Sequence, residues 1–252
     1  MTTNVGTTSF PRVETIDFSL FGDVEVRPMN KIRRVIARRM TASWVNVPTV
    51  VQFDECDLGR LDALRARLEP QAAARGVKLT ILPFVIAVCS RALAAIPEMN
   101  ASLDETGDNL ILKKYCNIGF AVDTPLGLIA PVIRGADRKG VLALADEIAS
   151  LAERARSGRL AFSDAEGGCF SVTNLGRLGG TGFTPTINAP EVGVLGIGRA
   201  ARRLVEIDGS FLPRPMLPVT LAYDHRVIDG AVGGRFMEIV RKGIEAPEDF
   251  AI

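Results

Sequence analysis

The stretch LTILPFVIAVCSRALAAIP, residues 79–97, constrains the fold more than any other part of this 252-residue chain. It is the longest apolar run, and Ser90 and Arg91 interrupt it, so it reads as a buried helix rather than a membrane span. Pro83 stands near its start, where a missing N–H costs nothing, and Pro97 closes it, which predicts a helix over about 82–96.

The neighbouring segments alternate between helical and strand periods. In NKIRRVIARRMTASW (30–44), Ile32, Val35, Ile36, Arg39 and Met40 recur at helical spacing, opposite a basic face. TVVQFDECD (49–57) alternates as a strand does. DLGRLDALRARLEPQAAARG aligns Leu58, Leu61, Leu64 and Leu68 on one side, with Gly76 beyond its end. The middle is β-rich: NLILKKYCNIGFAVDT, then GLIAPVIR after the turn TPLG. VLALADEIASLAERARSGR (141–159) returns to a helical period. Three apolar strands, CFSVTNLG, EVGVLGIGR and MLPVTLAY, precede a last helix, GAVGGRFMEIVRKGI, with Val232, Phe236, Ile239 and Val240 on one face. This alternation, without a strict βαβ rhythm or a 20–50-residue repeat, predicts a two-layer α/β sandwich. Residues 1–20 are polar and aperiodic and read as an arm or linker end, with one domain over 21–252.

Composition narrows the function classes. A formal net charge of +1 gives no reason to expect nucleic acid or an acidic membrane surface as a partner. The N-terminus lacks the basic and apolar regions of a signal peptide. Four dispersed cysteines, with no CxxC pair, predict neither disulfides nor a metal site; buried thiols suit a reducing cytoplasm, the expected location.

The glycine-rich stretches NLGRLGGTGF and LGIGRA complete neither GxGxxG nor a GK[ST] ending, so a phosphate loop is not expected. GxSxG is absent, and Ser171 lies within a strand, which disfavours a serine hydrolase. Arg33, Arg34, Arg38 and Arg39 form a basic helical run that reads first as a solvated face.

One residue stands apart. His225 is the only histidine in the chain. It follows the strand carrying Leu217, Val219 and Leu221 and precedes a glycine-started helix, with Asp224, Arg226 and Asp229 around it. A strand-end loop is where reactive groups are commonly held. An imidazole titrating near neutrality can take the proton of a thiol, which is weakly ionised at pH 7 yet strongly nucleophilic once deprotonated.

The segment DHRVIDG resembles the DHRxxDG signature of the dihydrolipoamide acyltransferases, the cores of 2-oxoacid dehydrogenase complexes. The resemblance extends over nearly the whole chain, through IDFSLFGDVEVRPMNKIRR, WVNVPTVVQF, GVKLTILPFVIAVCSRAL, KKYCNIGFAVDTPLGLIAPVIR and CFSVTNLGRLGGTGFTPTINAPEVGVLGIGRA. These phrases most resemble the acetyltransferase branch that serves pyruvate dehydrogenase. The resemblance implies a sandwich of the chloramphenicol-acetyltransferase-like type, a mixed sheet with helices on one side.

It also implies roles. His225 matches the catalytic base that deprotonates coenzyme A or dihydrolipoamide. Thr173 matches the hydroxyl that stabilises the oxyanion, a contribution of about 3 kcal/mol for one preorganised donor. Asp229 matches the second acid of the signature, expected to hold the loop through an arginine near Arg38 and Arg39. Asn174, adjacent to the hydroxyl, is a candidate substrate contact, and Leu175, Leu178 and Phe183 are candidates to shape the acyl pocket. Coenzyme A is implied as substrate, with the lipoyl group on a separate domain or carrier and no metal. Implied partners are further copies of the chain, as a trimer or a 24-subunit cube, the lipoyl domain, and the E1 and E3 components. In such a trimer Thr173 and His225 belong to different chains. A different acceptor, or a mainly structural assembly core, remains an alternative at this stage. Phe250 and Ile252 are the expected C-terminal anchors for joining trimers.

Overall fold

The computed structural model describes residues 13–176 and 178–250. In chain order the elements are helix α1 (Lys31–Asn46), strand β1 (Thr49–Asp57), α2 (Gly59–Ala74), α3 (Leu82–Ala95), β2 (Ala101–Leu103), β3 (Leu110–Leu112), β4 (Ile118–Phe120), β5 (Val122–Thr124), β6 (Gly127–Ile129), β7 (Val132–Ile133), α4 (Val141–Arg156), β8 (Phe170–Asn174), β9 (Gly193–Ile197), β10 (Ala201–Ile207), β11 (Ser210–Asp224) and α5 (Gly230–Glu245). The C-terminal contact expected of Phe250 and Ile252 lies outside the described side chains, and residues 1–12 of the expected arm lie outside the described residues.

The apolar stretch behaves as its composition requires. Ten residues of α3, among them Phe84, Ile86, Cys89 and Leu93, are buried. They pack against α4, α5 and the sheet in one continuous core. Phe236 and Val240 of α5 are fully buried in it, with Val232 and Ile239 at its edge. Only Arg91, Ala94 and Ala95 of α3 are exposed, so most of the helix surface has to be covered.

Seven strands form the main sheet in the order β1-β11-β9-β8-β4-β7, with β10 pairing β11 beside this path. The sheet is mixed: β8 runs parallel to β4 and β9, and the other pairs are antiparallel. β2–β3 and β5–β6 are separate small hairpins. Strand alternation divides the two faces. Phe170, Val172, Leu195, Ile197, Val219, Leu221 and Tyr223 point into the core built with α2–α5. Val51, Val194 and Ala222 point the other way and pack with Val47 and Ile187. Helices α2–α5 therefore cover one face, and the segment around Ile187 covers part of the other. The Ser43 hydroxyl at the end of α1 donates to the Ile187 carbonyl at 2.5 Å.

Two features differ from the sequence expectation. The β-rich middle is broken into strands of two or three residues. The last strand is much longer than MLPVTLAY, because β10 and the first half of β11 form a hairpin around Asp208-Gly209, both at positive φ (50° and 77°). Asp-Gly suits such a two-residue turn. Pro213 and Pro215 mask the strand in the sequence. They are tolerated because β10 alone pairs with that half of β11, leaving one edge free for residues with no N–H.

Candidate active site

β11 ends at Asp224 and α5 begins at Gly230, so the connecting loop runs from His225 to Asp229. Backbone bonds fix it. The His225 N–H donates to the Pro48 carbonyl at 2.9 Å, and the Val227 and Ile228 N–H groups donate to the Asp224 carbonyl at 3.0 and 2.9 Å. Ile228 is wholly buried beneath the loop. The His225 side chain stays exposed. Its ring lies against Tyr223, with centroids 5.9 Å apart and planes tilted by 39°.

The charges around the imidazole are already engaged. Asp224 is 2% exposed, and its carboxylate receives Arg226 Nη2 at 2.6 Å, Arg226 Nε at 2.9 Å and the Arg226 backbone N–H at 3.0 Å. Asp229 is the N-cap of α5, where its Oδ1 accepts the Val232 N–H at 2.8 Å. The arginine partner expected of Asp229 is not found within this one chain. Among the described residues Asp229 forms no ion pair, with Arg38, Arg39 or any other cation. The free N–H groups of a helix start give the carboxylate its partner instead.

Thr173 sits in β8 on the face turned away from the helices, opposite Gly196 of β9. Phe183 occupies the space above Gly196, its Cζ 2.9 Å from where a Cβ would be. Asn174 turns inward on its own loop, with Oδ1 accepting the Gly176 N–H at 2.9 Å. Leu178 is 80% exposed.

Thr173 and His225 do not meet within one chain. Thr173 pairs with Gly196, Gly196 pairs with Thr220, and His225 is five residues beyond Thr220. Two strand spacings and five residues of rise put them about 20 Å apart. Thr173 is held within β8 and His225 on the loop after β11, and neither has the other as its neighbour.

A buried acid on the same face escaped the sequence reading. Glu191, 4% exposed, precedes β9; it accepts the Ser171 hydroxyl at 2.6 Å and Asn188 Nδ2 at 3.3 Å. Burial pushes its pKa up to about 7, against the opposing pull of those two bonds. It lines a cavity of about 380 Å³ with Lys113, Arg39 and Gly119. The only sequence signal was a lone acid between a proline and an apolar strand. All four cysteines are buried and free. Burial raises the Cys56 and Cys89 thiols; Cys116 is raised first by its bond to Cys169, whose own pKa that bond lowers. Among the described residues no cluster of three or more His, Cys, Asp or Glu side chains could hold a metal, and no helix is long and apolar enough to cross a membrane.

The chain is thus a two-layer α/β sandwich with a mixed sheet, covered by helices on one face, whose longest strand ends at the lone histidine. The fold matches chloramphenicol acetyltransferase with a TM-score of 0.52 at 17% identity, over 82% of this chain and 94% of that one. The chain belongs to the 2-oxoacid dehydrogenases acyltransferase (catalytic domain) family, whose model matches residues 21–252. It is 47% identical over 231 residues to the dihydrolipoyllysine-residue acetyltransferase component of the Pseudomonas aeruginosa pyruvate dehydrogenase complex, covering 92% of this chain and 42% of that protein. The chain thus spans about two fifths of that relative. The cubic core of a pyruvate dehydrogenase multienzyme complex superposes with a TM-score of 0.94 at 43% identity, over 96% of this chain and all of that one. The same values hold for an Azotobacter vinelandii dihydrolipoamide acetyltransferase, solved in work on the role of a serine, a histidine and an asparagine in its catalytic mechanism. In that protein the serine precedes the histidine by 52 positions and the asparagine follows it by 4.

Proposed function

We propose that this chain is the catalytic core of a dihydrolipoamide acetyltransferase, moving an acetyl group between a dihydrolipoyl thioester and the thiol of coenzyme A. The observation that carries this reading is His225, the only imidazole, held exposed at the end of β11 on a loop fixed by Pro48 and Asp224. Its position relative to Thr173 and Asp229 repeats the spacings of 52 and 4 named for the Azotobacter enzyme's serine, histidine and asparagine.

His225 takes the proton of the coenzyme A thiol. The thiolate attacks the thioester carbonyl carbon, and the developing oxyanion receives the Thr173 hydroxyl as donor. The tetrahedral adduct then collapses, the C–S bond to the dihydrolipoyl group breaks, and the imidazolium returns its proton to the departing sulfur. One base and one donor suffice, with no covalent enzyme intermediate. Asp229 contributes by capping α5, which fixes the far end of the His225 loop. Asn174, next to Thr173, is a candidate substrate contact held in place by its bond from the Gly176 N–H.

The roughly 20 Å between Thr173 and His225 in one chain supports a site shared between neighbouring copies. A trimer, and a 24-subunit cube built from trimers, agree with the similarity to a cubic core. So does the exposed apolar surface of the N-terminal segment, where Val13, Leu20, Phe21 and Val26 are each more than three quarters exposed. In this reading residues 1–20 are an arm, residues 21–252 the catalytic domain, the lipoyl domain delivers the acetyl group, and E1 and E3 are the other components of a cytoplasmic complex. Acetyl transfer from acetyl-CoA to dihydrolipoamide tests it. The wild-type chain should be active, and His225→Ala should lose a factor of roughly 10² or more. A wild type without activity would overturn the reading.

A further inference from the structure

The loop that carries His225 is gripped from outside at both ends by one strand. At its start, the Pro48 carbonyl, just before β1, accepts the His225 N–H. At its far end, Gln52 of β1 donates Nε2 to the Gly230 carbonyl at 3.1 Å. Among the described hydrogen bonds, this is the one side-chain bond that reaches residues 225–230 from outside 224–232.

We propose that Gln52 is a positioning residue for His225, with Tyr223 as the platform on which the imidazole rests. Gln52 faces Leu221 in the β1–β11 register, which puts its side chain on the helix-covered face together with Tyr223. The amide orientation is settled by chemistry: only the NH₂ end can face a carbonyl. Oε1 is therefore directed away from Gly230, into a region where it is buried and has no partner in the chain. The Tyr223 hydroxyl, a donor, is likewise buried without a partner. Both groups crowd Gly233 of α5: a Cβ there would lie 2.8 Å from Tyr223 Cε1 and 3.1 Å from Gln52 Oε1. Buried polar groups that forgo a partner cost stability, and such a cost is retained where a geometry is required. The geometry held here is the first turn of α5 and, through Asp229, the His225 loop, while the Tyr223 ring supports the imidazole from below. Displacing a reacting group by about 1 Å can cost as much as a hundredfold in rate, so loss of the Gln52 bond should appear in kcat.

The inference rests on His225 as the base, and the test separates the two ideas. Because the chain has a single histidine, ¹⁵N-histidine labelling reports one imidazole. Gln52→Met, similar in shape and without a donor, and Gln52→Glu, which turns an acceptor toward the Gly230 carbonyl, would be compared with the wild type at pH 8 in their assembled form. Imidazole ¹⁵N shifts, kcat, KM and oligomer size would be measured. The expected result is a roughly tenfold or larger fall in kcat for Gln52→Met and a greater one for Gln52→Glu, with KM for coenzyme A within about twofold, unchanged assembly and a displaced imidazole signal. Wild-type kcat and an unmoved imidazole signal in folded Gln52→Met, or in folded Gln52→Glu should the first variant not fold, would overturn the positioning role. A wild type that transfers no acetyl, with an imidazole signal that still moves in the variants, would sink the enzymatic reading and leave the positioning intact.

Discussion

Thr173 in the sheet and His225 just past its longest strand are separated across β9 and along β11, through the pairs Thr173–Gly196 and Gly196–Thr220. No side-chain rotation closes a gap of about 20 Å. A reaction that uses both must therefore recruit them from different copies.

Complementation follows from that separation. Thr173→Val and His225→Ala chains, each poorly active alone, should recover activity when co-assembled in equal amounts, since roughly one site in four would pair an intact threonine with an intact histidine in a head-to-tail ring. Activity near a quarter of wild type is the expected reading. Hybrids no more active than the parents would show that the two residues do not share a site.

Two substitutions of Asp229 should differ in stability. Its carboxylate caps α5 through Val232, so Asp229→Ala should lower stability by about 1 kcal/mol, whereas Asp229→Asn keeps a capping oxygen and should lose only a few tenths. Urea unfolding midpoints measure this. Equal losses in the two variants would place the carboxylate's role elsewhere than at the cap.

Glu191 makes stability depend on pH. The folded chain holds its proton up to about pH 7, while the unfolded chain releases it near 4.5. The folded state therefore binds more protons across that window, and this group's contribution falls as pH rises through it, levelling above pH 7. Glu191→Gln keeps an acceptor for Ser171 and cannot ionise. Its gain over wild type should be absent near pH 4.5 and largest above pH 7 in urea titrations. A pH-independent difference would contradict the buried acid's role.

Gly196→Ala tests the cover over Thr173. The added methyl would come within 2.9 Å of Phe183 Cζ, and the ring has to move. Overpacking of this kind costs about 1–3 kcal/mol. The segment above Thr173 should shift, so kcat/KM should fall together with the melting temperature. Unchanged kinetics would mean that Phe183 does not border the reacting groups.

Much of this was legible in the sequence because periodic patterns survive burial. TVVQFDECD became β1 with the same limits, and the apolar stretch bounded by Pro83 and Pro97 became α3. The DHRVIDG segment placed His225 at a strand end before a helix, where it stands. The β10–β11 hairpin was hidden because its prolines contradict strand propensity, and only the free edge beside them makes the strand possible. Glu191 was hidden because a single acid carries no period; its burial depends on Ser171, twenty residues away, facing it across the fold.

The sequence alone therefore determined which segments are helix or strand, which faces must be covered, and that a solitary imidazole sits in a strand-end loop, since periodicity and residue chemistry are local properties. Strand register decided the rest. It set Thr173 far from His225 and joined Gln52 to Gly230. Those outcomes depend on which strands lie side by side, and residues distant in the chain meet only once the whole core has packed.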